Sequence, residues 1–402
     1  MRAAQSVLNC RNQEIDMYSD RVRYIGVDDA DLDLFESQYP VPHGMCYNSY
    51  VLMTQQITVM NAVDGRRTDE WLQKLETVLN GAVPAYIVIQ HVEPDHTGSL
   101  NAFLKRYPDT QVVATKPAHK MLCQFGVHAR RCVGIQDGER MDISGMTLLF
   151  HTAPMVHWPE VVMVYVPEEE TLFSADAFGT FGTHAAHFDN WKDEARRYYF
   201  NICGKYGLQV AAALRKTQMM SVATIAPLHG PVLCGGTAAE AMRLYLLWSS
   251  YQPETEGVLV AYASIHGNTK AAALCMADLL RERGALVKTI DLTRTDLSEA
   301  LSRAFQMSRM LLCASSYDAG VFPPMYDFLH KLQIKQYRSR RVGILQNGSW
   351  APTSAKTMRT LLDEMQDLSF AGPVVTITSS LHPSDLPAME ALADSLLHNI
   401  DC

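Results

Sequence analysis

Tyr86-Ile87-Val88-Ile89-Gln90-His91-Val92-Glu93-Pro94-Asp95-His96 decides the reading of this chain. Residues 86–90 form an apolar run that reads as a buried strand. His91, Glu93, Asp95 and His96 follow at once, so one sheet edge carries two imidazoles and two carboxylates. Carboxylates packed this closely are costly to desolvate without a partner. One ion does not need all four groups, because further candidates follow downstream. His157 precedes the apolar run 161–166, Asp176 follows 171–174, and His229 follows 225–228. Each stands at the end of an expected strand, where loops carry chemistry on a rigid scaffold. Taken singly, such a histidine is more often a surface or hydrogen-bonded residue than a ligand. Together the spacing argues for a two-metal site. Glu93 weighs most, because added carboxylate oxygen favours iron or manganese over zinc.

The rest of the chain bounds this reading. Its 402 residues suggest two or three domains, and 48% apolar residues supply more than one core. The net charge of -8 is spread over mixed signs with no basic block, which argues against a nucleic-acid surface. The nine cysteines are scattered, form no Cys-x-x-Cys pair and give no disulfide framework. Residues 1–20 lack the apolar core of a signal peptide, and no run is long enough to span a membrane. The expectation is a cytoplasmic protein that contacts no membrane.

Two rhythms divide the sequence. In the first half, strands are expected at 51–53, 57–60, 86–89, 112–114, 146–150, 161–166 and 221–225. Helices are expected at 68–79 and 193–217. That mixture fits an α/β/β/α sandwich. Residues 251–256 are polar, carry Pro253 and read as a linker. Beyond them strands at 258–262, 287–292, 310–314, 341–346 and 374–378 alternate with helices at 268–283, 297–305, 324–332, 354–368 and 385–400. Gly284 is placed to end the first of these helices. Regular alternation of this kind predicts a doubly wound parallel sheet, whose ligand lies beyond the carboxyl ends of its strands.

The loop after the first of these strands is Ser264-Ile265-His266-Gly267-Asn268-Thr269. Small hydroxyl and amide side chains with one glycine, opening a helix, can wrap a monophosphate. The glycine patterns for nucleoside triphosphates and for dinucleotides are both absent. Ser315-Ser316-Tyr317-Asp318-Ala319-Gly320 and Asn347-Gly348-Ser349-Trp350 end the third and fourth strands. Tyr317 and Trp350 are candidates to stack on a flat ligand.

These motifs resemble the flavodiiron proteins, or A-type flavoproteins. The resemblance rests on His91-x-Glu93-x-Asp95-His96 with His157, Asp176 and His229 in order. It is reinforced by Tyr47-Asn48-Ser49-Tyr50, Asp176-Ala177-Phe178-Gly179, Tyr198-Tyr199 and Ala226-Pro227-Leu228-His229-Gly230-Pro231. It runs from about residue 20 onward. It implies a metallo-β-lactamase-like αββα sandwich at 1–250, a linker at 251–256 and a flavodoxin-like doubly wound domain at 257–402. It implies that His91, Glu93 and His157 hold one iron, that Asp95, His96 and His229 hold another, and that Asp176 bridges them. It implies FMN bound by Ser264, Ile265, His266, Gly267, Asn268, Thr269, Ser316, Tyr317, Asp318, Ala319, Gly320, Asn347, Gly348, Ser349 and Trp350. The implied activity is reduction of O2 to water, of NO to N2O, or of both. Electrons would come from a separate donor, rubredoxin, within a head-to-tail homodimer or a dimer of dimers. The flavin loops depart from the common family strings at Ser315-Ser316-Tyr317-Asp318 and at Pro352. Cys234 stands where an aromatic or basic residue is common.

Two other readings remain open on the residues alone. One is a dizinc hydrolase with a flavodoxin appendage, which Glu93 argues against because most hydrolases of this superfamily carry histidine there. The other is an FMN electron carrier with a vestigial metal site, which the complete set of ligand types argues against. His184 and His187 read as a solvated loop, and His151 as structural.

Overall fold

The computed structural model describes residues 19–184, 186 and 191–398. The chain forms two compact units that divide between Ser249 and Ser250. His187 lies outside the described residues.

The first unit is built on two six-stranded sheets. In one, Val22–Tyr24, Tyr50–Leu52, Thr58–Met60, Tyr86–Val88, Gln111–Thr115 and Cys132–Ile135 lie side by side in that order. The other runs from Arg140–Asp142 through Thr147–Thr152, Val162–Val166, Thr171–Phe173 and Thr224–Ala226 to Leu233–Cys234. Their facing sides make one core. Tyr24, Tyr50, Leu52, Met60, Val88 and Val113 meet Leu148, Phe150, Val162, Val164 and Phe173 there, all buried. The helix Thr68–Leu79 has the predicted bounds and buries Trp71, Leu75 and Leu79. Leu75 and Leu79 lie four residues beyond Trp71 and Leu75, the spacing of one helical stripe. Trp71 also donates its indole N–H to Ser49 Oγ at 3.1 Å.

One expected element divides. The span 193–217 is not a single helix but Trp191–Ile202, a tight turn at Gly204–Tyr206, and a second helix Gly207–Thr217. Gly204 and Gly207 sit at the break, where glycine's backbone freedom disfavours continuing the helix. The expectation of no disulfide also needs correction. Cys234 is disulfide-bonded, whereas Cys46, Cys123, Cys132, Cys203, Cys275 and Cys313 are free thiols.

The second unit is a parallel sheet. Its strands lie in the order Val287–Asp291, Thr255–Ala263, Met307–Tyr317, Arg340–Asn347 and a split fifth strand. In chain order this is 2-1-3-4-5, one of the common doubly wound arrangements. Residues 257–263 are buried without interruption, as a strand covered by helices on both faces requires. The strand begins at Thr255, so the last residues of the expected linker already belong to this sheet. The helix expected at 354–368 stops at Asp363, and Leu368–Phe370 instead pairs with Arg340–Val342. Val375–Ile377 pairs further along the same strand. Gly372 and Pro373 interrupt the edge between the two segments, and proline has no N–H for a ladder.

A buried arginine fastens the start of this unit. Arg340 is 2% exposed. Its guanidinium donates to the carbonyls of Tyr251, Phe305 and Met307 at 2.6, 2.7 and 2.8 Å. Burial lowers its pKa from the usual arginine value, but the carbonyls satisfy its donors. Arg340→Met keeps bulk and leaves those acceptors unpaired, at about 1–3 kcal/mol for each unsatisfied group. We expect faster amide hydrogen exchange at 251–256 and 305–347 with residues 58–115 unaffected. Unchanged protection would refute the role.

Candidate functional site

The seven metal-candidate side chains converge at one end of the first unit. His91, Glu93, His157 and Asp176 form one group and Asp95, His96 and His229 a second, with ligand-capable atoms in each group within 4.8 Å of one another. The chain brings them there by simple local rules. Gln90 is buried where the strand Tyr86–Val88 runs out, and it joins the two sheets. Its amide donates to the carbonyls of Val162 and Phe173 at 3.1 and 2.8 Å and accepts from Asn61 at 2.8 Å. Directly above it, Glu93 precedes the one-turn helix Pro94–Thr97, with Pro94 at the first helical position. That turn carries Asp95 and His96 on a rigid step. Thr97 Oγ1 donates to the carbonyls of Val92 and Glu93 at 3.1 and 3.0 Å and holds the step in place.

Asp176 divides its two oxygens between the groups. Oδ2 lies 3.4 Å from His91 Nε2 and 3.1 Å from His157 Nε2. Oδ1 lies 3.1 Å from His96 Nε2 and 3.7 Å from His229 Nε2. Glu93 Oε2 completes the first side, 3.2 Å from His91 and 3.1 Å from His157. Asp95 Oδ2 completes the second, 3.2 Å from His229 and 3.5 Å from His96. Ala175 and Phe178, beside Asp176, hold positive φ of 53° and 69°. Non-glycine residues reach that region at a cost that surrounding structure must meet.

Two partners that sequence reading did not find orient the imidazoles. Glu160 Oε1 lies 2.7 Å from His91 Nδ1 and accepts the Val92 N–H at 3.0 Å. The Cys46 carbonyl lies 2.7 Å from His229 Nδ1. Both leave Nε2 facing the cluster, the arrangement by which an outer acceptor sets a metal-binding tautomer. Glu160 is 1% exposed, and its position after Trp158-Pro159 carried no periodic signal. The backbone acceptor has no sequence signal at all.

The charges demand a cation. Burial opposes ionisation of Glu93, yet hydrogen bonds with His157 and His91 bring its pKa down to about 2. Burial likewise opposes a charged His157, but Asp176 and Glu93 hold it up at about 9. Asp176 is held well below the usual carboxylate range, since His96 and His91 outweigh its burial. Asp95 Oδ1 is buried with no hydrogen-bond partner among the described residues, and Asp95 Oδ2 and His229 Nε2 have only their mutual 3.2 Å contact and their neighbours in the cluster. Lone pairs buried this way are expensive unless paired or coordinated. Four imidazoles and three carboxylates around two foci therefore fit two divalent ions, with mixed N/O donors that suit iron.

Aromatic rings enclose the cluster. Phe35, Tyr47 and Tyr198 pack against His229 at 5.2, 5.8 and 6.0 Å, and Trp158 against His91 at 5.2 Å. Burial pushes the Tyr198 phenol well above its usual pKa, so it stays protonated. His184 does not sit in a solvated loop. It is partly buried, tilted against Tyr24 at 5.1 Å, and burial lowers its pKa.

In the second unit a cavity of about 640 Å³ opens at the carboxyl ends of the strands. It gathers Ser264, Ile265, His266, Asn268, Thr269, Ser316, Tyr317, Asp318, Ala319, Asn347, Gly348, Ser349 and Trp350 from the expected flavin contacts. Gly267 and Gly320 are not among its lining residues, while Ser315, Ala351, Thr353 and Ser379 are. Ser379 follows the fifth strand, so the strand-end rule alone would have found it. Thr269 Oγ1 and Ser315 Oγ lie 2.8 Å apart and tie the first loop to the third strand. Tyr317 and Trp350 are 45% and 93% exposed at the rim of the cavity. The volume falls in the range of cofactor sites, about 300–1,000 Å³.

Fold and site together define a class, a binuclear-metal β-lactamase-like unit joined to a flavodoxin-like unit. The family model described as "ODP family beta lactamase" matches residues 46–230. The anaerobic nitric oxide reductase flavorubredoxin of Aeromonas hydrophila is 26% identical over 364 residues, covering 87% of this chain and 73% of that protein. The one from Aliivibrio fischeri is 27% identical and covers 82% and 68%. Rubredoxin oxygen:oxidoreductase from Desulfovibrio gigas superposes with a TM-score of 0.87 at 22% identity, over 94% of this chain and 96% of that one. The flavodiiron protein from Giardia intestinalis gives 0.86 at 21%, over 94% of each chain. The chain shares the fold of these flavodiiron structures and is similar in sequence to the flavorubredoxins.

Glu160 offers a direct test of the site. Glu160→Ala removes the acceptor of His91 and should weaken iron binding about 10- to 100-fold, as loss of such partners does. Competition with a chelator of known affinity measures it. Affinity equal to that of the unaltered protein would exclude the assignment.

Proposed function

We propose that this chain is an oxidoreductase that reduces O2 to water, NO to N2O, or both. Electrons pass from a separate rubredoxin-type donor through FMN to a pair of iron ions. The observation that carries the reading is the Asp176 carboxylate, which presents one oxygen to each histidine group, with Glu93 in the first. Relatives named nitric oxide reductase and a structural neighbour named rubredoxin oxygen:oxidoreductase support it.

In this reading residues 1–250 form the diiron domain, 251–256 the linker and 257–402 the FMN domain. His91, Glu93 and His157 hold one iron, Asp95, His96 and His229 the other, and Asp176 both. The flavin lies in the cavity bounded by 264–269, 316–320 and 347–350. When bound, the irons would supply open coordination positions for a diatomic gas, and iron and flavin together would supply the electrons.

The chain's own residues do the rest. Glu160 and the Cys46 carbonyl hold His91 and His229 with Nε2 inward. Phe35, Tyr47, Trp158 and Tyr198 exclude bulk water, which strengthens every charge inside. The Tyr198 hydroxyl, buried without a hydrogen-bond partner among the described residues, keeps its proton and can donate a hydrogen bond into the site. Among the described residues no helix is long and apolar enough to cross a membrane. A cytoplasmic location and a head-to-tail homodimer, or a dimer of dimers, complete the proposal.

Stopped-flow oxidation of the photoreduced protein by each gas tests it, with iron and FMN quantified in the same sample. We expect rapid reoxidation by at least one gas and a loss of about 100-fold or more in His91→Ala, since ligand removal strips the site of its metal. Full zinc occupancy without iron, or reoxidation indifferent to His91→Ala, would overturn it.

A further inference from the structure

A hairpin tip beside the metal cluster carries a carboxylate that the chemistry above leaves unused. Leu34–Phe35 pairs with Tyr39–Pro40, and the Gln38 N–H closes the turn on the Phe35 carbonyl at 3.1 Å. Both strands of this hairpin are pinned at the site. The Phe35 ring lies 5.2 Å from His229 and 5.9 Å from Phe181. Tyr39 packs on Phe181 at 5.6 Å and donates its hydroxyl to the Asn201 carbonyl at 3.2 Å. The two central residues of the turn, Glu36 and Ser37, hold φ of 48° and 55°. A turn with two positive φ values is normally filled by asparagine, aspartate and glycine. Glutamate here runs against that local preference, and such departures gather at functional sites.

Glu36 is exposed, yet the surrounding protein desolvates its carboxylate enough to raise its pKa. Both hold for a group in the mouth of a pocket, which solvent reaches from one side. The ligand carboxylates Glu93 and Asp176 push in the same direction and His157 opposes them, so the charge on Glu36 is felt inside the cluster. The segment 28–36 contains Asp28, Asp29, Asp31, Asp33 and Glu36 and no lysine or arginine. Asp29 and Asp31 are answered by Arg66 and Arg67, and Asp28 accepts the His184 N–H at 2.7 Å. Glu36 has a neutral partner, the Gln38 amide, which donates to it at 3.0 Å. Its negative charge therefore stands at the entrance without a cation to offset it.

We propose that Glu36 is a specificity-determining residue that keeps small anions out of the metal pocket while admitting uncharged gases. The inference rests on the reading of that pocket as a diiron site. Metal ions with open positions attract small anions as well as neutral diatomics. An anion passing the hairpin meets a like charge, whereas O2 and NO carry none. A repulsive charge thus rejects the competitor without weakening the wanted ligand.

The test titrates the iron-loaded, oxidised, full-length protein with azide near about pH 8, where carboxylates are ionised. The azide-to-iron charge-transfer band reports binding. Glu36→Gln keeps the shape and the acceptor for Gln38. It should bind azide about fivefold or more tightly at low salt, the scale of one unit charge acting through partly hydrated protein. The ratio should shrink toward one in about 0.5 M salt. Glu36→Asp should match the unaltered protein, because aspartate keeps the charge and tolerates positive φ. Glu36→Lys should exceed Glu36→Gln. Binding of NO to the reduced form, read from its nitrosyl band in the first milliseconds, should differ by less than about twofold among the proteins, since NO is uncharged. Unchanged azide affinity in Glu36→Gln and Glu36→Lys, a ratio indifferent to salt, or an NO affinity that rises as azide affinity does would overturn the proposal and leave the diiron reading standing. An unaltered chain that takes up no iron, or that shows no azide band when iron-loaded, would overturn the reading of the site itself.

Discussion

Three carboxylates within one pocket, Asp176 buried and Glu93 and Asp95 largely so, are the constraint on which the first unit is organised. Glu93, Asp95 and Asp176 cannot lie this close without positive charge between them. The imidazoles that face them supply part of that charge, as the depressed pKa of Glu93 and the raised pKa of His157 record. Metal ions would supply it more completely and would also engage the buried Asp95 Oδ1, which has no hydrogen-bond partner among the described residues. The same electrostatic demand explains the outer residues. Glu160 and the Cys46 carbonyl fix which ring nitrogen points inward, so that each histidine can meet the ion as a neutral donor.

The sheets exist to hold this arrangement still. Gln90 joins both of them by five hydrogen bonds of its amide and backbone directly beneath the step that carries Asp95 and His96. Any slip of one sheet past the other would separate His91 and Glu93 from Asp176. Close packing reinforces this. A Cβ at Gly98 would lie 2.5 Å from the Gly65 backbone, so the end of the one-turn helix that carries His96 is pressed against its neighbour. Rigidity here comes from buried polar groups as much as from the apolar core.

The second unit solves a different problem. In the proposed reading it holds an anionic, flat ligand at the edge of a sheet, and its lining carries almost no charge. Hydroxyls, amides and a helix N-terminus form the cradle, and two exposed aromatics, Tyr317 and Trp350, stand at the rim. Neutral donors of this kind bind without a strong fixed field.

Much of this was written in local pattern. The buried run 86–90 and the polar string after it reveal strand and ligands together, because both depend on residue type over a few positions. The β-α alternation from 258 onward likewise predicts a parallel sheet, since each period is decided within one element. Where the reading failed, the cause was not local. The division of 193–217 at its glycines depends on the packing of two helices, and the split fifth strand on pairing with Arg340–Asn347. The sequence by itself determined the chemistry of the donors and the type of fold. Only the tertiary structure decided that Asp176 shares its oxygens between two foci and that Glu160 and Cys46 stand behind the histidines. Those facts are distances between residues far apart in the chain, and no spacing along it encodes them.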